Sequence, residues 1–222
     1  MRCEGALPYA EVTVHAGSVS LEGNVAMPGD AAAVVAFAHG SGSSRHSPRN
    51  RSVAEALNAA GLATLRFDLL TPQEEVIDVR TRELRFDISL LADRLTGAVD
   101  WLCAHPPTRS LRVGLFGAST GAAAALIAAT RRPESVGAVV SRGGRPDLAG
   151  EALAAVQAPT LLLVGGHDTL VLELNRQASA LMRAECRLEI IPGASHLFEE
   201  PGTLADVAAR ACEWFLQHLT RT

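Results

Sequence analysis

Ser119, Asp168 and His196 are the residues whose types and spacing could do nucleophilic chemistry. Ser119 is the centre of Gly117-Ala118-Ser119-Thr120-Gly121, a Gly-x-Ser-x-Gly stretch. A serine hydroxyl is a poor nucleophile near neutral pH. A neutral imidazole must take its proton during attack and return it to the leaving group, and the imidazolium formed in passing needs an oriented anion beside it. His196, in Gly193-Ala194-Ser195-His196, suits the base, and Asp168, in Gly165-Gly166-His167-Asp168, suits the anion. Each also has a duller role. Gly-x-Ser-x-Gly arises by chance in a chain with 19 Gly, Asp168 could cap a helix beginning near Val171, and His196 could be a surface loop histidine. The chain order Ser, Asp, His, with each residue just beyond an expected strand, favours the shared role.

The elements that must position these side chains follow from hydrophobic patterning. The apolar run ending at Gly117 reads as a strand and the Ala-rich run after Gly121 as a helix, so Ser119 falls on the turn between them. Gly117 and Gly121 leave room for a strained turn against a neighbouring strand and helix. Helix N-terminal amides are unpaired, which makes the Thr120 N–H available to a developing oxyanion. Ala33–Ala38 is a continuous apolar run and reads as a strand buried on both faces. The loop His39-Gly40-Ser41-Gly42 behind it can aim a second amide, that of Ser41, at the same point. Alternation about Gly17-Ser18 predicts an antiparallel hairpin at a sheet edge.

Further strands are expected at 62–67, 136–140, 159–164 and 188–191, and helices at 48–60, 86–105, 148–156, 171–182 and 203–219. Residues 68–85 are polar and read as a loop or a loosely held surface excursion. Strands alternating with helices predict an α/β fold with a mostly parallel sheet, residues 1–222 forming a single domain.

Composition narrows the partners. The chain is 48% hydrophobic and 20% charged with a net charge of −4, which disfavours nucleic acid. All 20 basic residues are Arg, a compositional bias without functional meaning. The four cysteines lack metal-ligand spacing and suit a reducing cytoplasm, with Cys103 and Cys212 expected among apolar neighbours. No apolar leader follows Met1, and no segment reaches membrane-spanning length. The expectation is a cytoplasmic protein, a monomer or homodimer, acting on a small-molecule ester without cofactor or metal.

On these motifs the sequence resembles the α/β-hydrolase superfamily and, within it, the small dienelactone hydrolase-like family. The resemblance covers nearly the whole chain and implies an eight-stranded sheet flanked by helices, with hydrolysis of esters or lactones through an acyl-enzyme. Only about two dozen residues separate the strands at 136 and 159, which leaves no room for an inserted cap. Two departures stand out. Ser119 occupies the elbow where such hydrolases carry cysteine. Where they place a substrate-binding arginine after the histidine, this chain has Leu197-Phe198-Glu199-Glu200, whose acids would repel an anionic substrate. Arg45, Arg142 and Arg145 could supply cations to a substrate, against ion pairs with Asp147 or other surface acids. His39 could touch substrate too, although shaping its loop is the expected role. Phosphotriester cleavage on the same site, acyl transfer, and a non-catalytic binding module are the alternatives.

Overall fold

Gly17, at φ +63°, turns the chain between β1 (Tyr9–Ala16) and β2 (Val19–Ala26), which pair antiparallel with Ala16 opposite Val19. The structure, a computed structural model, describes residues 9–220. From this hairpin the sheet grows by β3 (Ala33–Ala38), β4 (Ala63–Phe67), β5 (Arg112–Ala118), β6 (Val136–Arg142), β7 (Thr160–Gly165) and β8 (Cys186–Ile191). All belong to one eight-stranded sheet in the order β1-β2-β4-β3-β5-β6-β7-β8. β2 meets β4 antiparallel, and every pairing from β4 to β8 is parallel. β3 and β7 are buried along their whole length, as strands covered on both faces must be.

The described residues form six α-helices. They are α1 (Pro48–Ala59), α2 (Pro72–Thr81), α3 (Ile88–Ala104), α4 (Thr120–Arg131), α5 (Thr169–Leu181) and α6 (Thr203–Leu219). One core lies on the α3 and α4 side of the sheet, with Leu95, Leu115 and Leu126. The other lies under α1 and α6, with Phe37, Phe116, Val140 and Phe215. Alternate residues of each strand serve opposite cores: Val139 faces the first and Val140 the second. Among the described residues no helix is long and apolar enough to cross a membrane.

Three expectations need correction. Residues 68–85 are ordered by α2 and a 3₁₀ turn at Leu84–Phe86. Thr71 and Glu74 close a capping box at the start of α2 with Pro72 in its first turn, and Asp78, fully buried, binds the Arg85 amide and guanidinium. The expected helix at 148–156 is instead a 3₁₀ stretch, Pro146–Ala155, interrupted at Gly150 with φ +56°. Cys103 is exposed on α3, one residue past the inward-facing Leu102. Cys3 and the start of the chain lie outside the described residues.

Candidate active site

Four loops meet at the carboxyl ends of the parallel strands. The turn from β5 into α4 is the tightest. Ser119 has φ +50° and ψ −121°, a conformation that L-residues rarely adopt and that strain at a functional turn can account for. Close packing dictates the two flanking glycines. A Cβ on Gly117 would lie 2.5 Å from Ala122 Cα, and one on Gly121 would lie 2.3 Å from the Ala38 carbonyl oxygen. Ser119 holds the N-cap position of α4 and yet makes no side-chain cap, so its hydroxyl is uncommitted. Its backbone is tied down: its carbonyl accepts from the Arg145 amide at 3.0 Å, and its amide lies 3.4 Å from the Arg142 carbonyl.

The loop after β3 crosses directly over this turn. A Cβ on Gly40 would meet Ser119 Cβ at 3.1 Å. Among the described residues the amides of Ser41 and Thr120 enter no loop or turn hydrogen bond, which leaves both able to receive an oxygen. His39 is buried within this loop and lines a neighbouring cleft. Its Nδ1 lies 3.0 Å from the Gly40 carbonyl, and the Leu69 amide donates to its Nε2 at 3.1 Å. These contacts suit the neutral imidazole with its proton on Nδ1, and burial pushes its pKa below the ordinary value.

Asp168 and His196 come from the loops after β7 and β8. Those loops are laced together by the Gly166 amide to the Ile191 carbonyl and the His167 amide to the Ala194 carbonyl, both at 2.9 Å. Asp168 stands at the N-cap position of α5 with no side-chain cap bond. Its Oδ2 lies 2.6 Å from His196 Nδ1 instead. His196 Nε2 makes no hydrogen bond among the described residues. The histidine loop also packs against the residue that follows Arg142: a Cβ on Gly143 would meet the His196 carbonyl at 3.1 Å and the Phe198 ring at 3.2 Å.

Sequence reasoning missed what holds this loop. Glu200 accepts from the Ser195 amide at 3.0 Å, and that amide keeps its carboxyl below the usual range. Phe198 is buried at φ +55°. No sequence pattern announces either feature.

The candidate arginines fare differently. Arg45 is bound to Asp68 and to Glu22 at the rim of a cleft of about 230 Å³ that His39, Ser43, Thr71 and Glu75 also line. Arg145 forms two bonds to Asp147, at 2.8 and 2.7 Å. Arg142, 8% exposed, forms no ion pair among the described residues.

This geometry coincides with known proteins. An α/β hydrolase domain family matches residues 31–217. The chain belongs to the α/β-hydrolase family. The crystal structure of a dienelactone hydrolase from Anabaena variabilis is 60% identical, with a TM-score of 0.95 over 97% of this chain and 100% of that one. A dienelactone hydrolase-like promiscuous phosphotriesterase from metagenomic libraries shares the fold at 18% identity, with a TM-score of 0.75 over 97% of this chain and 100% of that one. Two Mycobacterium tuberculosis proteins bearing a provisional phosphoribosyl transferase name are 59% identical over 209 residues, 94% of this chain. The chain spans about half the length of these curated relatives, 46%. It is thus an α/β hydrolase of the dienelactone hydrolase-like kind.

Proposed function

We propose that the chain is a serine hydrolase that cleaves small soluble carboxylic esters or lactones through an acyl-enzyme. Ser119 Oγ attacks the carbonyl carbon while its proton passes to His196 Nε2, and Asp168 holds Nδ1–H so that the other nitrogen stays a base. The Ser41 and Thr120 amides bind the oxyanion of the tetrahedral intermediate. Collapse expels the alcohol with the proton from His196, and water repeats the sequence on the acyl-serine to release the acid.

The observation that carries this reading is the 2.6 Å contact between Asp168 Oδ2 and His196 Nδ1, made where an N-cap aspartate would ordinarily bond its own helix. Pre-steady-state release of p-nitrophenol from p-nitrophenyl acetate and butyrate tests it. A burst with steady turnover is expected, falling by about 10⁴-fold or more in Ser119→Ala and His196→Ala. The same preparations are assayed for consumption of phosphoribosyl diphosphate, the chemistry in the name of the mycobacterial relatives. Turnover there with silence on esters would replace the hydrolase reading.

A further inference from the structure

β8 is the last strand of the sheet, and among the described residues nothing pairs with its outer edge. The Thr160 and Gly166 amides bond to the Glu185 and Ile191 carbonyls, so the odd-numbered residues turn their backbone groups toward β7. The amides and carbonyls of Cys186, Leu188 and Ile190 therefore line the open edge. Side chains alternate as well. Leu188 packs with Val164, Val171 and Leu172 beside α5, which puts Cys186 and Ile190 on that face and Arg187 and Glu189 on the face of α6. Ile190 is 42% exposed, an apolar side chain that the chain itself leaves half uncovered.

The α6 face of this edge is charged. Arg187 lies 3.8 Å from Glu189, and its guanidinium stands over the Trp214 ring, 5.2 Å from its centre. Both border an open groove of about 300 Å³ that Asp206, Arg210 and Glu213 also line. Charges on an outer strand ordinarily keep other strands off. Here opposite signs stand two residues apart, and that spacing fits one strand well: β8 itself, turned end for end about a two-fold axis normal to the sheet. The registers that pair most of the strand centre on Arg187, Leu188 or Glu189. The first sets Arg187 against Arg187 and the third sets Glu189 against Glu189, and like charges directly opposite destabilise a pair of strands. The middle register sets Arg187 against Glu189 of the second copy on either side of the axis, with Leu188 on Leu188 and Cys186 on Ile190. β1, the other outer strand, holds Glu11 and no arginine, so it offers no such pairing.

We propose that the outer edge of β8 is a docking surface for a second copy of this chain, joined antiparallel about Leu188 so that the two eight-stranded sheets run on as one. The occupant is a second copy because the edge complements itself, in charge on the α6 face and in apolar contact on the α5 face. This pairing depends on the sheet edge alone, whatever chemistry Ser119 performs. The loop that carries His196 leaves β8 directly, so association holds the strand from which that loop rises.

Two measurements test it, one of association and one of register. In the first, sedimentation velocity follows the parent from about 1 to about 100 µM, and dimer should build up with concentration. Arg187→Glu and Glu189→Arg each set like charges opposite and should weaken association at least about 10-fold. The double variant Arg187→Glu/Glu189→Arg restores opposite signs across the axis and should recover dimer. A melting curve for each variant shows whether it is folded. In the second, Ile190→Cys is oxidised mildly in a Cys103→Ser background, which removes the exposed thiol of α3. Opposed residues of a hydrogen-bonded pair stand about 5.5 Å apart at Cα, within disulfide reach, whereas positions 186 and 190 of one strand are about 13 Å apart. A covalent dimer through Cys186 of the second copy should form, and adding Cys186→Ser should abolish it.

A parent that stays monomeric at about 100 µM, with no cross-link, would overturn the proposal. So would a dimer that both charge variants leave intact, since another face would then hold it. Dimer lost in the single variants and not regained in the double one, with no cross-link, would overturn the register and the proposal with it. Where a charge variant fails to fold, the Ile190→Cys cross-link decides alone, because it keeps Arg187 and Glu189 in place.

Discussion

An aspartate in front of a helix has an easy occupation: its carboxylate accepts from the amides of the first turn. Asp168 stands in that position before α5 and leaves it unfilled, reaching to His196 Nδ1. The contact has one useful consequence for chemistry, since a carboxylate at Nδ1 fixes the tautomer in which Nε2 is a base. Asp168→Asn separates the two occupations. An asparagine can cap a helix as well as an aspartate can, whereas its amide can donate to Nδ1 and leave the proton on the wrong nitrogen. Stability should change by less than about 1 kcal/mol, while kcat on p-nitrophenyl butyrate falls by about 10⁴-fold. Chemical denaturation and steady-state kinetics on the same preparation check both halves. A large stability loss with kcat preserved would return Asp168 to the helix.

At the scale of elements, α2 illustrates what patterning can and cannot reveal. Val76, Ile77 and Val79 are exposed and only Asp78 is buried, so no apolar stripe marks this helix. It forms because its ends are well made: Thr71 accepts from the Glu74 amide, and Glu74 accepts from the Thr71 amide and also binds Arg94. Asp78 fastens the far end to Arg85, whose amide and guanidinium outweigh the burial that would otherwise raise its carboxyl pKa. Thr71→Ala should therefore cost about 1 kcal/mol, read as a lower denaturant midpoint with unchanged slope. No change would mean that Asp78 and Arg85 hold the segment unaided.

Thr71-Pro72-Gln73-Glu74 has the form of a capping box, yet with no apolar stripe behind it the segment reads as a loop. The ion pairs were not legible, because they join residues whose proximity only the fold decides. The strands and the elbow were legible for the opposite reason. Buried parallel strands are long apolar runs, and the glycines at 117 and 121 are required by the backbone atoms they approach. That Ser119, Asp168 and His196 stand just beyond the ends of β5, β7 and β8 could be expected from the strands alone. That Arg142 forms no ion pair among the described residues could not, since such an arginine looks like a paired one until its neighbours are known.

Across the whole molecule, the site depends on parts of the chain far apart in sequence, each held by a polar contact that acid would disturb. His39 fastens the loop after β3 to the segment after β4, and burial lowers its pKa. Asp78 pins α2, and Glu200 pins the histidine loop, both with carboxyl pKa values below the ordinary ones. The signs agree. The unfolded chain takes up a proton at each of these groups more readily than the folded one, so stability rises with pH across each window.

His39 acts first. Its contribution is complete above its ordinary value of 6.5 and is lost as pH falls below that toward its lower folded value. The carboxylates follow: Glu200 below its ordinary 4.5 and Asp78 below 3.8. Melting temperature followed from about pH 8 down to about pH 5 should fall in the parent over the lower part of that range. His39→Gln removes the group that titrates there while keeping an acceptor for the Leu69 amide, so its curve should be flatter than the parent's even if it starts lower. Parallel curves would mean that the early acid limb arises elsewhere. Convergence of the two curves at low pH would locate the link in His39, and with it the anchoring of the loop that presents Ser41.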